Sequence, residues 1–216
     1  MNNKSQLGFI HTFIPSDSSR KDDDSLNLLL LHGTGGDEND LISIARMLDI
    51  ANASILSPRG KVLENGMPRF FRRLAEGVFD IEDLRFRTNE LADFVQRASK
   101  TYTFDLNRTL AIGYSNGANI AASMLLLRPE ILSGAILFRP MIPLVPDTLP
   151  NLSSKHILIS AGLHDPIVPR YQTEDLFDLL KKAEAKVSIQ WQNSGHELTQ
   201  RDIKAAKDWV MTSSLS

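Results

Sequence analysis

The stretch LAIGYSNGANI, residues 110–120, joins an apolar run to an alanine-rich run through Gly113, Ser115 and Gly117. The apolar run predicts a buried strand, and the residues after Ser115 predict a helix. A strand that turns abruptly into a helix holds a serine in strained backbone geometry, and the flanking glycines relieve the crowding. Ser115 is therefore a candidate nucleophile. The alternative is a glycine turn that serves only as a loop.

Short apolar runs recur along the chain between longer stretches with helical spacing, which is typical of a mainly parallel sheet with helices on both faces. The predicted strands are LNLLLLH, ASILSP, TLAIGY, GAILF, HILISA and VSIQW. An earlier run, GFIHTFIP, predicts a further strand at the sheet edge. The 216 residues carry no internal repeat and no low-complexity linker, so a single α/β domain over residues 1–216 is expected.

Three segments keep a set of residues on one helical face, and each predicts an amphipathic helix. The residues are Leu84, Thr88, Leu91, Val95 and Ala98 in the first segment, Leu176, Phe177, Leu180 and Ala183 in the second, and Ile203, Ala206 and Val210 in the third. Asp37 and Glu38 are interpreted as acids at a helix N-terminus, where the helix dipole favours negative charge.

Two connections are unusual. Residues 58–81 show little periodicity, and a loop of this length in a compact domain often binds a ligand. Residues 139–151, RPMIPLVPDTLPN, carry four prolines and are too short for a separate lid domain, so an open site is expected beside them. The acidic run at residues 22–24 predicts a solvated turn, because no metal-ligand spacing accompanies it.

Composition excludes several classes of function. The formal net charge is −2, with 24 basic and 26 acidic residues mixed along the chain, which argues against nucleic acid or an anionic membrane as partner. The absence of cysteine excludes disulfides, thiolate metal sites and a cysteine nucleophile. The first residues lack the apolar core of a signal peptide, and the longest aliphatic run, Leu28–Leu31, is too short to span a bilayer. A soluble, cytoplasmic protein without membrane insertion is expected.

A serine nucleophile needs a base within hydrogen-bond reach and an acid that orients the base. In an open α/β sheet these residues are sought just after the strands, where the ligand crevice lies. Asp165 in AGLHDPIVP and His196 in QNSGHELTQ follow Ser115 in the order Ser, Asp, His that is expected on this fold. For Asp165 the alternative is a turn aspartate that caps the following helix.

Four other histidines compete with His196 for the role of base. His11 and His156 lie inside predicted strands, where a packed imidazole is expected, and His32 is placed to brace the turn before Gly33. His164 is the strongest rival, but it neighbours Asp165 in sequence and is poorly placed for support from that carboxylate. His196, in a glycine-containing loop before the last predicted helix, is therefore preferred.

Acyl transfer also needs donors for the developing oxyanion, usually the backbone N–H after the nucleophile and one from the loop after an early strand. These are the N–H groups of Asn116 and Thr34, and the glycines at positions 33, 35 and 36 let the second loop fold close to the serine. A phosphate-binding interpretation of HGTGGDEN is weaker, because neither a P-loop Lys-Ser/Thr pair nor GxGxxG spacing is present.

The motifs LLLHGTGGDENDL, GYSNGAN, GLHDPIVP and SGHEL follow one another over nearly the whole chain. With them the sequence resembles the α/β-hydrolase superfamily, and within it the phospholipase/carboxylesterase family of acyl-protein thioesterases and small bacterial carboxylesterases. MPRFFRRL and LFRPMIPL also resemble the bacterial branch. The resemblance implies an α/β-hydrolase fold and a serine hydrolase of carboxylic esters that uses no metal and no organic cofactor.

Carried over position by position, the resemblance implies that Ser115 is the nucleophile, His196 the base and Asp165 its orienter. Thr34 and Asn116 then occupy the oxyanion positions, where the thioesterase branch usually has leucine and glutamine. The backbone N–H donors do not depend on these side chains. The difference does, however, argue against assigning this sequence the acyl-protein substrate of the thioesterase branch.

The expected substrate is a small or medium-sized carboxylic ester, hydrolysed through an acyl-enzyme. Candidates to line its pocket are Phe70, Phe71, Met141 and Ile142, each of which could equally belong to the core. The alternatives are thioesterase or lysophospholipase-type activity, acyl transfer to an alcohol or amine, and a non-catalytic binding module on a hydrolase scaffold. Whether the chain forms a homodimer is left open.

Overall fold

The structure, a computed structural model, describes residues 7–16 and 25–213. Its strands in chain order are β1 (His11–Ile14), β2 (Asn27–Leu31), β3 (Ser54–Pro58), β4 (Val62–Glu64), β5 (Met67–Arg69), β6 (Arg73–Ala75), β7 (Val78–Phe79), β8 (Thr109–Tyr114), β9 (Gly134–Phe138), β10 (His156–Gly162) and β11 (Lys186–Gln192). Its helices are α1 (Ile42–Met47), α2 (Ile81–Tyr102), α3 (Asn116–Leu127), α4 (Arg170–Lys182) and α5 (Gln200–Thr212).

The central sheet has seven strands in the order β1-β3-β2-β8-β9-β10-β11. β1 pairs antiparallel with β3, and the five other strand pairs are parallel. All seven predicted strands are present, and β1 lies at the sheet edge, as the sequence predicts. The mainly parallel α/β architecture is therefore confirmed.

Alternate residues of the strands face the two sides of the sheet, because the side-chain period of a strand is two. In β2, Leu29 and Leu31 join one buried cluster, while Leu28 and Leu30 join the other. The first cluster contains apolar residues of α2, α3 and α4, and the second contains residues of α1 and α5. Helices therefore cover both faces of the sheet.

α3 differs from the other long helices because its residues 116–126 are all buried. It packs against both β8 of the sheet and the neighbouring helix α2. The run NGANIAASMLLL is apolar nearly all round, which is typical of an internal helix. The three predicted amphipathic helices correspond to α2, α4 and α5, and they lie nearer the surface.

The connection over residues 58–81 contains two small hairpins, β4–β5 and β6–β7, which the sequence pattern does not indicate. The proline-rich connection is confirmed as short: residues 139–155 contain no helix or strand and form no lid domain. The predicted turn at residues 22–24 lies outside the described residues. In the part of the chain that is described, no helix has the length and apolar character needed to cross a bilayer.

The interpretation of Asp37 and Glu38 as helix N-terminal acids is wrong. α1 begins only at Ile42, and its first turn carries no acidic residue. Glu38 instead accepts two hydrogen bonds from Arg59, at 2.5 and 2.9 Å, from the loop after β3. The hydrogen bonds from Arg59 hold the pKa of the Glu38 carboxyl below its ordinary value.

Candidate active site

The chain changes direction across the sheet between β2 and β8. After β2 it continues to β3 on one side, and it later returns to place β8 on the other side of β2. A ligand crevice forms at such a switch point, beyond the carboxyl ends of the two strands. Thr34 follows β2 and Ser115 follows β8, so the sheet order brings these two residues to one place.

Ser115 lies on a strained turn between β8 and α3. Its φ of 52° and ψ of −114° are an unfavourable backbone conformation for a residue with a side chain, which costs on the order of 1–3 kcal/mol. Its N–H donates to the Phe138 carbonyl at 2.9 Å, which holds the turn against the end of β9. A Cβ atom at Gly113 would lie 2.7 Å from Ala118 Cα, and one at Gly117 would overlap the Leu31 carbonyl. Glycine is therefore required on both sides of the serine.

The structure brings Ser115, His196 and Asp165 into one hydrogen-bonded chain. The Ser115 hydroxyl lies 2.9 Å from His196 Nε2, and His196 Nδ1 lies 2.8 Å from Asp165 Oδ2. In the tautomer that fits these contacts, Nδ1–H donates to the carboxylate and Nε2 accepts from the serine hydroxyl. The Asp165 side chain is 2% exposed and that of His196 is 15% exposed, so the pair is nearly dry while the imidazole still faces the cleft.

Asp165 lies in a turn, and its carboxylate contacts both that turn and His196. Its Oδ1 accepts from the backbone N–H groups of Ile167 and Val168, at 2.8 and 3.0 Å, which fixes the carboxylate in its own turn. The second oxygen remains free for His196. Asp165 does not cap α4, because Pro169 is the N-cap of that helix.

The competing histidines have other partners. His11 contacts the Phe9 carbonyl and the Tyr102 hydroxyl inside the fold, and His164 Nε2 contacts Asn193 Oδ1. His32 Nδ1–H donates to the Gly33 carbonyl at 2.6 Å, and Nε2 accepts from the Gly60 N–H at 2.9 Å. Burial lowers the pKa of His32, which suits a neutral ring that bonds on both sides. His32 therefore braces the turn, as predicted.

The two residues assigned to the oxyanion positions both line the cleft that contains Ser115. Asn116 is the first residue of α3, so its N–H has no acceptor within the helix and points from the positive end of the helix dipole. Thr34 is exposed within the glycine-rich loop after β2, between Gly33 and Gly35. Thr34 and Asn116 therefore both lie on the cleft that Ser115 lines.

Three consecutive residues, 68–70, connect the two oxyanion positions. The Pro68 carbonyl accepts from the Gly35 N–H at 2.9 Å, Arg69 Nη1 donates to Thr34 Oγ1 at 2.8 Å, and the Phe70 N–H donates to Asn116 Oδ1 at 2.7 Å. The Asn116 side chain, which the sequence does not explain, therefore fixes this segment against the start of α3. The spacing between the Thr34 and Asn116 loops depends on residues 68–70.

Arg139 holds the loop that carries His196, and sequence reasoning missed it. Its side chain is fully buried and forms a bidentate ion pair with Asp202, at 2.7 and 2.9 Å. The same guanidinium donates to the carbonyls of Gly195 (3.0 Å), Glu197 (2.8 Å) and Ser160 (3.1 Å), and to Ser194 Oγ (3.0 Å). Arg139 follows β9 as Ser115 follows β8, and this position just after a strand is the sequence signal that could have identified it.

Asp202 joins the Arg139 cluster to α5. It forms a capping box with Thr199 at the start of that helix, and its Oδ1 also accepts from the Ser160 hydroxyl at 2.6 Å. Burial alone would raise the pKa of Asp202, but hydrogen bonds from Arg139, Ser160 and Thr199 outweigh burial and hold it below its ordinary value. Asp202 is therefore ionised and paired near neutral pH.

Tyr114 supports the same loop from the opposite side. Its hydroxyl donates to the His196 carbonyl at 3.1 Å, and the two rings lie 5.5 Å apart. Burial raises the pKa of the Tyr114 hydroxyl, so it stays a proton donor. A Cβ atom at Gly33 would lie 2.8 Å from the Tyr114 ring, which explains why that loop position is a glycine.

A cleft of about 300 Å³ opens in front of Ser115 and His196. Its apolar lining residues are Phe79, Met141, Ile167 and Val168, and its charged lining residues include Arg69, Arg73 and Glu76. Five lining residues, including Arg69 and Arg73, come from residues 58–81, the connection that the sequence predicted to bind a ligand.

Only Met141 of the four predicted lining residues lies on this cleft. The prediction is wrong for Phe70 and Phe71, which are 2% and 0% exposed and belong to the core under α2 and α3. Ile142 also packs against that core. The sequence favours an apolar pocket there because aromatic residues look alike whether they face a ligand or the protein interior.

The phospholipase/carboxylesterase family model matches residues 16–214 of this sequence. The chain belongs to the phospholipase/carboxylesterase family. A hydrolase of Bacillus subtilis strain 168, MhqD, is 50% identical over 182 residues, which are 84% of this chain and 90% of that protein.

Two solved structures extend the family comparison. The carboxylesterase of Bacillus cereus shares 51% identity at a TM-score of 0.90, with 95% of each chain covered. YahD, solved with malic acid, shares 36% identity at a TM-score of 0.86 over 94% of this chain and 98% of its own. The α/β-hydrolase fold is therefore common to this chain and its family. Among the described residues of this chain, no group of three or more acidic or histidine side chains could hold a metal ion.

Proposed function

We propose that this protein is a serine hydrolase that cleaves small to medium-sized carboxylic esters through an acyl-enzyme. One observation carries the proposal: Ser115, His196 and Asp165 are joined by hydrogen bonds of 2.9 and 2.8 Å at the mouth of a cleft. A serine hydroxyl becomes a useful nucleophile when an oriented base can take its proton, and this arrangement meets that need. A degenerate binding module would have no reason to keep all three groups aligned.

In the first half of the reaction, Ser115 Oγ attacks the ester carbonyl carbon as His196 Nε2 takes the hydroxyl proton. The carbonyl oxygen becomes an oxyanion, which accepts hydrogen bonds from the N–H groups of Thr34 and Asn116. Asp165 stabilises the imidazolium and keeps Nδ1–H directed at itself. The C–O bond to the alcohol then breaks, His196 returns the proton to the leaving oxygen, and Ser115 keeps the acyl group.

In the second half, water replaces the alcohol. His196 takes a proton from the water as its oxygen attacks the acyl carbon, and the oxyanion forms again between the same donors. When the intermediate collapses, Ser115 Oγ leaves with the proton from His196 and the carboxylic acid is released. No step needs a group other than the chain's own residues and water.

The shape of the cleft supports a substrate of limited size. Its volume of about 300 Å³ is at the lower end of the range for small-molecule sites. Residues 139–155 add no lid that would enclose a long acyl chain. YahD, the relative solved with malic acid, is described with a ligand of a size that such a cleft can hold.

The direct test compares the protein with its Ser115→Ala variant. The parent protein should gain the mass of one fluorophosphonate adduct and hydrolyse a short p-nitrophenyl ester, and the variant should do neither. Alanine leaves the backbone turn unchanged, so the variant should unfold at the same denaturant concentration as the parent. Ser154→Ala, at an exposed position, is the matched control and should react like the parent. Near-normal turnover by Ser115→Ala would refute the proposal.

A further inference from the structure

Two arginines of the cleft share one carboxylate. Glu64, at the end of β4, lies 3.1 Å from Arg69 Nη1 and 2.8 Å from Arg73 Nε. The Arg69 side chain is only 4% exposed, whereas those of Arg73 and Glu64 are each 28% exposed. Burial lowers the pKa of Arg69, and the charge of Arg73 acts in the same direction while Glu64 opposes it. A guanidinium still stays protonated, so the cluster holds two positive charges against one negative.

Both guanidiniums keep donors that no described residue uses. Arg69 donates through Nη1 to Thr34 and through Nε to the Phe71 carbonyl, which leaves Nη2. Arg73 donates only through Nε, to Glu64, which leaves both Nη groups. A carboxylate matches such paired N–H groups, since charge-assisted hydrogen bonds to arginine are often bidentate.

The other charges of the site do not balance the two arginines. Arg139 is neutralised by Asp202 in a fully buried ion pair, and Asp165 is bonded to His196. Glu76 is the remaining acid on the cleft, but it is exposed and makes no ion pair with either arginine. Apolar side chains, among them Met141 and Val168, also line this cleft.

We propose that the substrate is a small ester carrying a second, free carboxylate, which Arg69 and Arg73 bind while the ester carbonyl lies at Ser115. The inference rests on the proposed function and narrows its substrate class. The carboxylate would occupy the unused Nη donors, and the uncharged part of the molecule would lie against the apolar lining. The competing explanation is that Arg69, Glu64 and Arg73 only fasten the two hairpins together.

Matched probes separate charge from size. Monomethyl succinate carries the free carboxylate on the acyl side, and O-acetylglycolate carries it on the alcohol side. Each is compared with its carboxamide analogue, methyl succinamate or O-acetylglycolamide, which has nearly the same shape and no charge. The measured quantity is the ratio of kcat/KM for the acid to kcat/KM for its amide, with product acids followed by chromatography.

Arg73 is the better position for substitution, because Arg69 also bonds to Thr34 at an oxyanion position. For at least one probe pair the parent protein should favour the acid, and Arg73→Gln should lower that ratio roughly tenfold to a hundredfold, as expected for a hydrogen bond to a charged group. Arg73→Glu should bring the ratio below one. Lys100→Gln removes the same charge from an exposed site at the other end of α2 and should leave the ratio unchanged.

Binding gives a readout that does not depend on turnover. Calorimetry with the Ser115→Ala variant should show the acid of the preferred pair binding more tightly than its amide, and Arg73→Gln in that background should remove the difference. Equal values of kcat/KM for acid and amide in the parent would show that the arginines only fasten the hairpins. The same conclusion would follow if Arg73→Gln lowered the melting temperature but left the ratio unchanged. If the parent protein hydrolysed none of the esters but still bound the acids more tightly than the amides, the proposed hydrolase function would be refuted and the carboxylate-binding site would stand.

Discussion

Replacing Arg139 with methionine should damage stability and turnover together. Methionine approximates the length of the arginine stem but removes six hydrogen bonds, two of them to Asp202. Both side chains of this ion pair are 0% exposed, so Asp202 would be left as a buried charge without its partner. Breaking a buried pair in this way costs about 3–5 kcal/mol in the free energy of unfolding.

The loss can be converted into a melting temperature. For a chain of this length each kcal/mol lowers the melting temperature by roughly 2–4 °C, so Arg139→Met should melt roughly 6–20 °C below the parent. The control is Arg128→Met, which removes an arginine with two surface ion pairs and should cost about 1 kcal/mol or less. Urea unfolding followed by tryptophan fluorescence measures the free-energy loss of each variant, and thermal unfolding followed in the same way measures its melting temperature.

A double-mutant cycle isolates the ion pair. Asp202→Leu alone also breaks the pair, whereas the double variant Arg139→Met with Asp202→Leu leaves no unpaired charge. Its loss in the free energy of unfolding should therefore be smaller than the sum of the two single losses by at least about 1 kcal/mol. The value of kcat should stay low in the double variant, because the carbonyls of Gly195 and Glu197 on either side of His196 remain without their donor. Additive losses, or an Arg139→Met variant as stable as the control, would refute this reasoning.

Two further predictions concern single side chains. Burial lowers the pKa of His32 from its ordinary value of 6.5, so the unfolded chain binds a proton more readily than the folded protein does. This contribution to stability is complete above about pH 6.5 and is lost as the pH falls below that value, and His32→Gln should therefore flatten the slope of unfolding free energy against pH below about 6.5; an unchanged slope would contradict the assignment. Asn116→Ala leaves the buried Phe70 N–H without its acceptor and frees residues 68–70. The value of kcat should therefore fall about tenfold to a hundredfold with little change in KM. A change confined to KM would show that Asn116 only binds substrate.

Much of the fold was predictable because its signals are local. The seven strands of the central sheet are short apolar runs that end at turn residues, and the helices carry their buried face at fixed spacing. The order of Ser115, Asp165 and His196 could also be read directly, since all three follow strands whose carboxyl ends meet at one edge of the sheet. The four strands of the small hairpins were not predictable, because two or three residues are too few to show a period.

The sequence by itself determined the strained turn at Ser115, because glycine at position 113 lets β8 and α3 approach closely and glycine at position 117 lets α3 approach the end of β2. The tertiary structure alone decided what surrounds that turn. It placed Phe70 and Phe71 in the core, brought Arg139 to Asp202 across 63 residues, and set Arg69 and Arg73 beside one carboxylate. The glycines and the serine of this turn stand within a few residues of chain and can be read together. The partners of a buried charge depend on which loops come into contact, and such contacts leave no periodic pattern in the sequence.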